Sequence, residues 1–278
     1  AACVVGADPK TEGQRIYVCG HSFHVMIVQP LEQMGQLAKF KGHAIVGRAF
    51  LGGSTVTRHW GVPDDQSDVK RAIRAGRVDV LTLSPHPRVL PDPAIARFAD
   101  LLLAANPKGR VLVQASWLGF DGQPPGMFHN KDRDQTDLRK LRQVSAPINQ
   151  QLRTQIEELA KQYREKQGRP VVCLVPVGEA VLQLREQVAQ GKVPGISRQS
   201  QLFRDEIGHP TAPIAVLAAY CHYAAIYQRS PVDLGVPDAL RNAVDGNEVV
   251  AVNRLLQEIA WHVVTDEPLS GVPREGRR

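Results

Sequence analysis

Five apolar runs punctuate the first two-thirds of the chain: Arg15 to Cys19, His43 to Phe50, Val78 to Leu83, Arg110 to Ala115 and Pro170 to Val177. Each is short and almost continuously hydrophobic, as expected of a strand covered on both faces rather than one with a wet face. The stretches between them predict helices over Val25 to Phe40, Ser67 to Ala75, Pro93 to Ala105, Asp134 to Gln167 and Gly178 to Gln190. Alternation of this kind predicts a three-layer α/β/α sandwich around a central parallel five-stranded sheet. Past the fifth run the pattern turns wholly helical, over Ala212 to Gln228, Pro237 to Val244 and Glu248 to Val264, so the sheet is expected to be complete by about residue 177. Residues 15–264 read as one domain, with an N-terminal segment over 1–14 and a C-terminal tail over 265–278.

Composition narrows the partners. With 278 residues, 43% hydrophobic and 22% charged, the chain can bury a substantial core, and no apolar run approaches the roughly 18 residues of a membrane span. A net charge of +6 invites a nucleic-acid reading. Against it, Lys and Arg are interspersed with Asp and Glu through Asp134 to Lys166, and aromatic residues make up only 5%. The four cysteines are scattered without metal-ligand spacing, which predicts neither a zinc knuckle nor a disulfide framework. The chain opens at Ala1-Ala2-Cys3 with no complete signal peptide. Small residues before a cysteine resemble the end of a bacterial lipoprotein signal, giving the expectation of an exported protein, periplasmic, extracellular or lipid-anchored, with the cytoplasm as the alternative.

In a doubly wound sheet, ligands bind outside the carboxyl ends of the strands. The loops at those ends carry Gly20-His21-Ser22-Phe23-His24 after the first run, Gly52-Gly53-Ser54-Thr55 with His59-Trp60 after the second, Ser84-Pro85-His86-Pro87 after the third and Ser116-Trp117 after the fourth. Ser22, on a sharp strand-to-helix turn, is either a helix N-cap or an exposed nucleophile. Late in the chain, Asp205 and Glu206 precede His209 just ahead of a helix. Serine needs a histidine to take its proton, and the histidine needs a carboxylate to fix its tautomer. Ser22, His209 and one of the two acids supply all three types.

In order and placement these blocks resemble the SGNH, or GDSL-like, hydrolases over roughly residues 15 to 228. The resemblance implies a flavodoxin-like fold and an esterase with no cofactor, in which Ser22 is the nucleophile and His209 the base. It also implies an oxyanion hole built from the Ser22 and Gly53 backbone N–H groups plus a donor after the third strand. The chain departs from the pattern in its details. His21 stands where the family has an acidic residue, and His86 in Ser84-Pro85-His86-Pro87 holds the place of an asparagine. The usual acid-to-base spacing selects Glu206, whereas Asp205 fits only with one inserted residue that Gly208 could absorb; Asp205 is preferred. His21, His24, His59, Trp60 and Trp117 are expected to line a pocket for a small-molecule or carbohydrate ester, the tryptophans favouring a sugar ring.

Two other classes compete. Five of the nine histidines lie in these loops, so a divalent-metal hydrolase with His21 and His24 as ligands is one. A non-catalytic carbohydrate-binding protein that retains the fold is the other.

Overall fold

The strands form one five-stranded, all-parallel sheet in the order β2-β1-β3-β4-β5. They span Arg15–Gly20 (β1), Ala44–Phe50 (β2), Val80–Leu83 (β3), Arg110–Gln114 (β4) and Val172–Val175 (β5). The computed structural model describes residues 12–273; the Ala1-Ala2-Cys3 opening, and with it the lipoprotein-like feature, lies outside the described residues. Helices cover both faces: α1 (Val28–Leu37), α2 (Val56–Trp60), α3 (Asp68–Arg74), α4 (Ala94–Ala105), α5 (Leu138–Gln167), α6 (Val177–Ala189), α7 (Ala212–Tyr227), α8 (Asp238–Arg241) and α9 (Val249–Asp266).

The continuous apolar runs follow from this double cover. Along β1, Ile16 and Val18 enter the core shared with α1, α6, α7 and α9, while Tyr17 and Cys19 enter the opposite core shared with α2, α3, α4 and α5. The two-residue period of a strand sends alternate side chains to opposite faces, so both sets of positions are mostly apolar. Helix α7 is apolar nearly all round because it lies inside the first core, with Ile214 and Val216 to Ile226 buried.

Local chemistry sets the helix ends. Asp137 caps α5 by accepting from the N–H groups of Arg139 and Lys140, so that helix begins later than the charge pattern suggests, and Gly168 closes it in the left-handed region at φ 68°. Residues 265–273 pack against the domain: α9 runs to Asp266, Glu267 pairs with Arg153, and Leu269 O accepts from the Leu174 N–H of β5. Among the described residues, Cys19, Cys173 and Cys221 are buried free thiols, and no helix is long and apolar enough to cross a membrane.

Chain order places the site. β1 hands over to β2 on one side, then the chain crosses back to β3 on the other, so the loops after β1 and β3 diverge and leave a crevice at the strand ends. Ser22 follows β1 and His86 follows β3.

Candidate active site

Beyond β1 the chain doubles back at once. A Cβ on Gly20 would come within 2.9 Å of the His24 ring, and His21 O accepts from the N–H groups of His24 (3.0 Å) and Val25 (3.1 Å). A 3-10 turn over Val25–Ile27 intervenes before α1, and neither it nor α1 has a side-chain cap. The Ser22 hydroxyl therefore caps no helix; it lies 2.9 Å from Nε2 of His209.

His209 sits in a tight loop that closes through a bridge between Phe203 and Pro210 just ahead of α7. Gly208 has φ +100°, a conformation L side chains rarely adopt, which turns the loop so that Asp205 folds back beneath the histidine. Asp205 Oδ1 accepts from the N–H groups of Gly208 (2.9 Å) and His209 (3.0 Å), and Oδ2 accepts from His209 Nδ1–H at 2.6 Å. Burial alone would raise the Asp205 carboxyl, but hydrogen bonds from the His209 backbone and ring and from Gly208 outweigh it and hold the group below its ordinary value. A carboxylate only accepts, so Nδ1 carries the proton and Nε2 is left to accept from Ser22. The carboxylate of Glu206 is exposed, and the acid that meets the ring is Asp205, four residues before it.

The backbone of this loop is held from outside. The carbonyls of Asp205 and Glu206 accept from the Arg133 guanidinium (3.0 and 2.7 Å), Ile207 O from Phe120 N–H (3.0 Å) and Gly208 O from Trp117 Nε1–H (3.0 Å). Arg133 is fully buried, with the Phe203 ring 4.5 Å from its guanidinium, and Asp121 binds both it and Arg185. Phe120 and Asp121 adopt φ values of 55° and 49° to make these contacts. Left-handed backbone at two adjacent non-glycine residues costs on the order of 1 kcal/mol each or more, so the surrounding bonds must hold the turn in place.

Beneath Ser22 runs a buried polar chain. Gln114 donates to Phe23 O (2.8 Å) and Ser116 Oγ (2.7 Å), which leaves its Oε1 to accept from His24 Nδ1–H (2.9 Å) and His24 Nε2 to accept from the Thr82 hydroxyl (2.9 Å). Ser116 Oγ lies 3.2 Å from Ser84 Oγ, itself 3.1 Å from His21 Nε2, while His21 Nδ1 accepts from Phe23 N–H (3.2 Å). The imidazole thus supplies a side-chain acceptor for the backbone N–H that follows Ser22. Burial, reinforced by neighbouring imidazoles, pushes the pKa of both His21 and His24 down to about 3. When the chain unfolds, each ring can take up a proton at its ordinary pKa near 6.5, so the unfolded state binds more protons between pH 6.5 and 3. Folding stability should therefore fall as pH drops through that window, by up to about 1.4 kcal/mol per pH unit for each ring. Urea midpoints measured from pH 7 to 5 at fixed ionic strength should decline; a level profile would contradict the neutral, buried state of these rings.

A cavity of about 240 Å³ opens beside Ser22, and His21, Gly53, His86 and Trp117 share its lining. Neither the Ser22 nor the Gly53 backbone N–H has a partner among the described residues. His86 Nδ1 accepts from Arg88 N–H (3.2 Å), so the neutral ring carries its proton on Nε2; burial, then the charge of Arg88, keeps its pKa below the ordinary value.

Of the residues expected to line a pocket, His21 and Trp117 do so, whereas His24, His59 and Trp60 do not. His24 is fully buried in the polar chain, and His59 is buried with Nε2 2.9 Å from Ser54 Oγ. Trp60 packs edge-on against Phe98 of α4, with Lys70 Nζ 4.9 Å from its ring centre. Trp117 is 6% exposed and stacks on Phe23 at 4.7 Å. Both ring nitrogens of His21 and His24 are occupied by protein groups, and no set of three or more His, Cys, Asp or Glu among the described residues is placed to hold a metal ion. Sequence reading missed Phe120, Val144, Ile148 and Ile207, which complete the cavity wall. One signal was present: Val144 and Ile148 are apolar residues four apart in the first turns of α5, on a helix whose sequence is otherwise rich in charge.

No family model and no curated protein matches the chain. Among solved structures, the fold is similar to the crystal structure of a DUF4886 family protein from Bacteroides uniformis ATCC 8492. The TM-score is 0.58 at 14% identity, over 91% of this chain and 95% of that one. At that identity the likeness shows the fold alone.

Proposed function

We propose that this chain is a serine hydrolase that cleaves a carboxylic ester. One observation carries the reading: an unbroken hydrogen-bonded line, Asp205 to His209 to Ser22, ends on a hydroxyl at the wall of a cavity. The order of the sequence blocks, which resembles that of the SGNH hydrolases, supports the same assignment.

In this mechanism Ser22 Oγ attacks the ester carbonyl carbon while its proton passes to His209 Nε2. Asp205, kept ionised by its three hydrogen bonds, stabilises the imidazolium. The carbonyl oxygen becomes an oxyanion facing the two unpartnered N–H groups of Ser22 and Gly53 and the Nε2–H of His86. Collapse of the tetrahedral intermediate breaks the bond to the alkoxy oxygen, which leaves as the alcohol with the proton from His209. Water then attacks the Ser22 ester with His209 again as base, releasing the acid and restoring the serine.

The test is release of p-nitrophenol from p-nitrophenyl esters with and without chelator. Turnover should be unaffected by chelation; loss of activity with chelator would favour a metal hydrolase instead. His86 gives a finer check, because its donor is on a fixed ring between two prolines. His86→Ala should lower kcat about 100-fold, the low end for losing an oxyanion donor, with KM little changed, and His86→Asn should restore part of it. A change in KM alone would place His86 in substrate binding.

A further inference from the structure

We infer that the acyl half of the ester is an apolar chain of medium length, bound between the 117–122 turn and the first turns of α5; this deepens the ester reading above and rests on it. The polar side chains that line the cavity are those of Ser22, His21, His86 and Arg88; the rest of its wall is apolar, with Phe23, Leu118, Phe120, Val144, Ile148 and Ile207, and no Asp, Glu, Asn, Gln or Thr side chain lines it. A sugar ring brings hydroxyl groups that must exchange water for protein partners, and each one buried without a partner costs on the order of 1–3 kcal/mol. The apolar part of this wall offers such groups nothing, while for methylene groups it is a good solvent. The two tryptophans expected to favour a sugar are otherwise engaged: Trp60 faces α4, and Trp117, although in the wall, stacks on Phe23 and donates its N–H to Gly208 O.

Volume sets the length. At about 30 Å³ for a water-sized group, a cavity of 240 Å³ takes on the order of eight such groups, the ester group at Ser22 included. The wall also reaches the surface as apolar side chains, Val144 being 52% and Ile207 42% exposed. Burial of one methylene is worth about a fourfold change in affinity, so the length dependence should be steep until the cavity is full.

The experiment measures kcat/KM for p-nitrophenyl esters from acetate to palmitate on the wild-type chain, and binding of the free carboxylates over the same lengths to Ser22→Ala. We expect kcat/KM to climb two- to fourfold per methylene, peak between about six and ten carbons, and fall beyond. Carboxylate binding to Ser22→Ala should follow the same rise. Ile148→Trp, at a half-exposed position where bulk need not disturb the core, should cut the octanoate-to-acetate ratio at least about tenfold. Acetate as the best substrate, or a preference for O-acetylated sugars, with no gain in carboxylate affinity with length, would overturn the inference and leave the ester reading standing. Length-dependent carboxylate binding with no turnover of any ester would do the reverse, keeping the apolar site and removing the ester reading.

Discussion

Ser22→Ala should abolish ester hydrolysis, with kcat reduced by at least about 10⁴-fold, while the urea midpoint changes by no more than about 1 kcal/mol in stability. The two halves of this expectation come from the same geometry. The hydroxyl makes one side-chain hydrogen bond, to His209 Nε2, and a single such bond is worth about 1 kcal/mol net. It caps no helix, since α1 begins only after the 3-10 turn and has no side-chain cap, so the mutation removes a nucleophile without removing a structural support. A marked loss of stability would mean that the turn depends on the hydroxyl. Retained turnover in a folded variant would remove Ser22 from the chemistry.

Asp205→Asn should lower kcat by about 10³- to 10⁴-fold, and the local bonding says why. Oδ1 accepts two backbone N–H bonds, from Gly208 and His209. An asparagine in this place must turn its carbonyl oxygen to those donors, which points its NH₂ at His209 Nδ1. That nitrogen must then accept, the ring proton moves to Nε2, and the base faces Ser22 with a donor where it needs a lone pair. Glu206→Gln should change kcat by less than about twofold, because the Glu206 carboxylate is exposed and it is the backbone carbonyl that Arg133 holds. The two variants compared side by side by steady-state kinetics decide the acid, and the reverse ranking would reassign it.

How much was legible in the sequence depended on whether a residue's task was fixed by its own neighbours in the chain. The strands were legible because cover on both faces forces continuous apolar runs, and the observed strands fall within or one residue beyond the expected ones. Asp205 and His209 were legible because Gly208, at φ +100°, lets a short loop turn the acid onto the ring. His24, His59 and Trp60 were misplaced for one physical reason: polar and aromatic residues in strand-end loops point either toward the crevice or under it, and chain order does not say which. His24 points under, where Gln114 and Thr82 from two other strands meet it. The cavity wall was less legible still. Val144 and Ile148 lie in a helix read as a solvated charged surface, and only tertiary packing brings that helix beside Leu118 and Phe120. Nor does the local sequence announce the left-handed pair Phe120 and Asp121, whose conformation is held by partners at Ile207, Arg133 and Arg185.

The measurement that bears most directly on the central claim is the intact mass and peptide map of the protein after reaction with a fluorophosphonate. The serine mechanism predicts one phosphonyl group per chain, on Ser22, lost in Ser22→Ala and slowed by orders of magnitude in His209→Ala, because the attacking hydroxyl needs the imidazole to take its proton. A folded wild-type chain that stays unlabelled, or that carries the label on another residue, would contradict it.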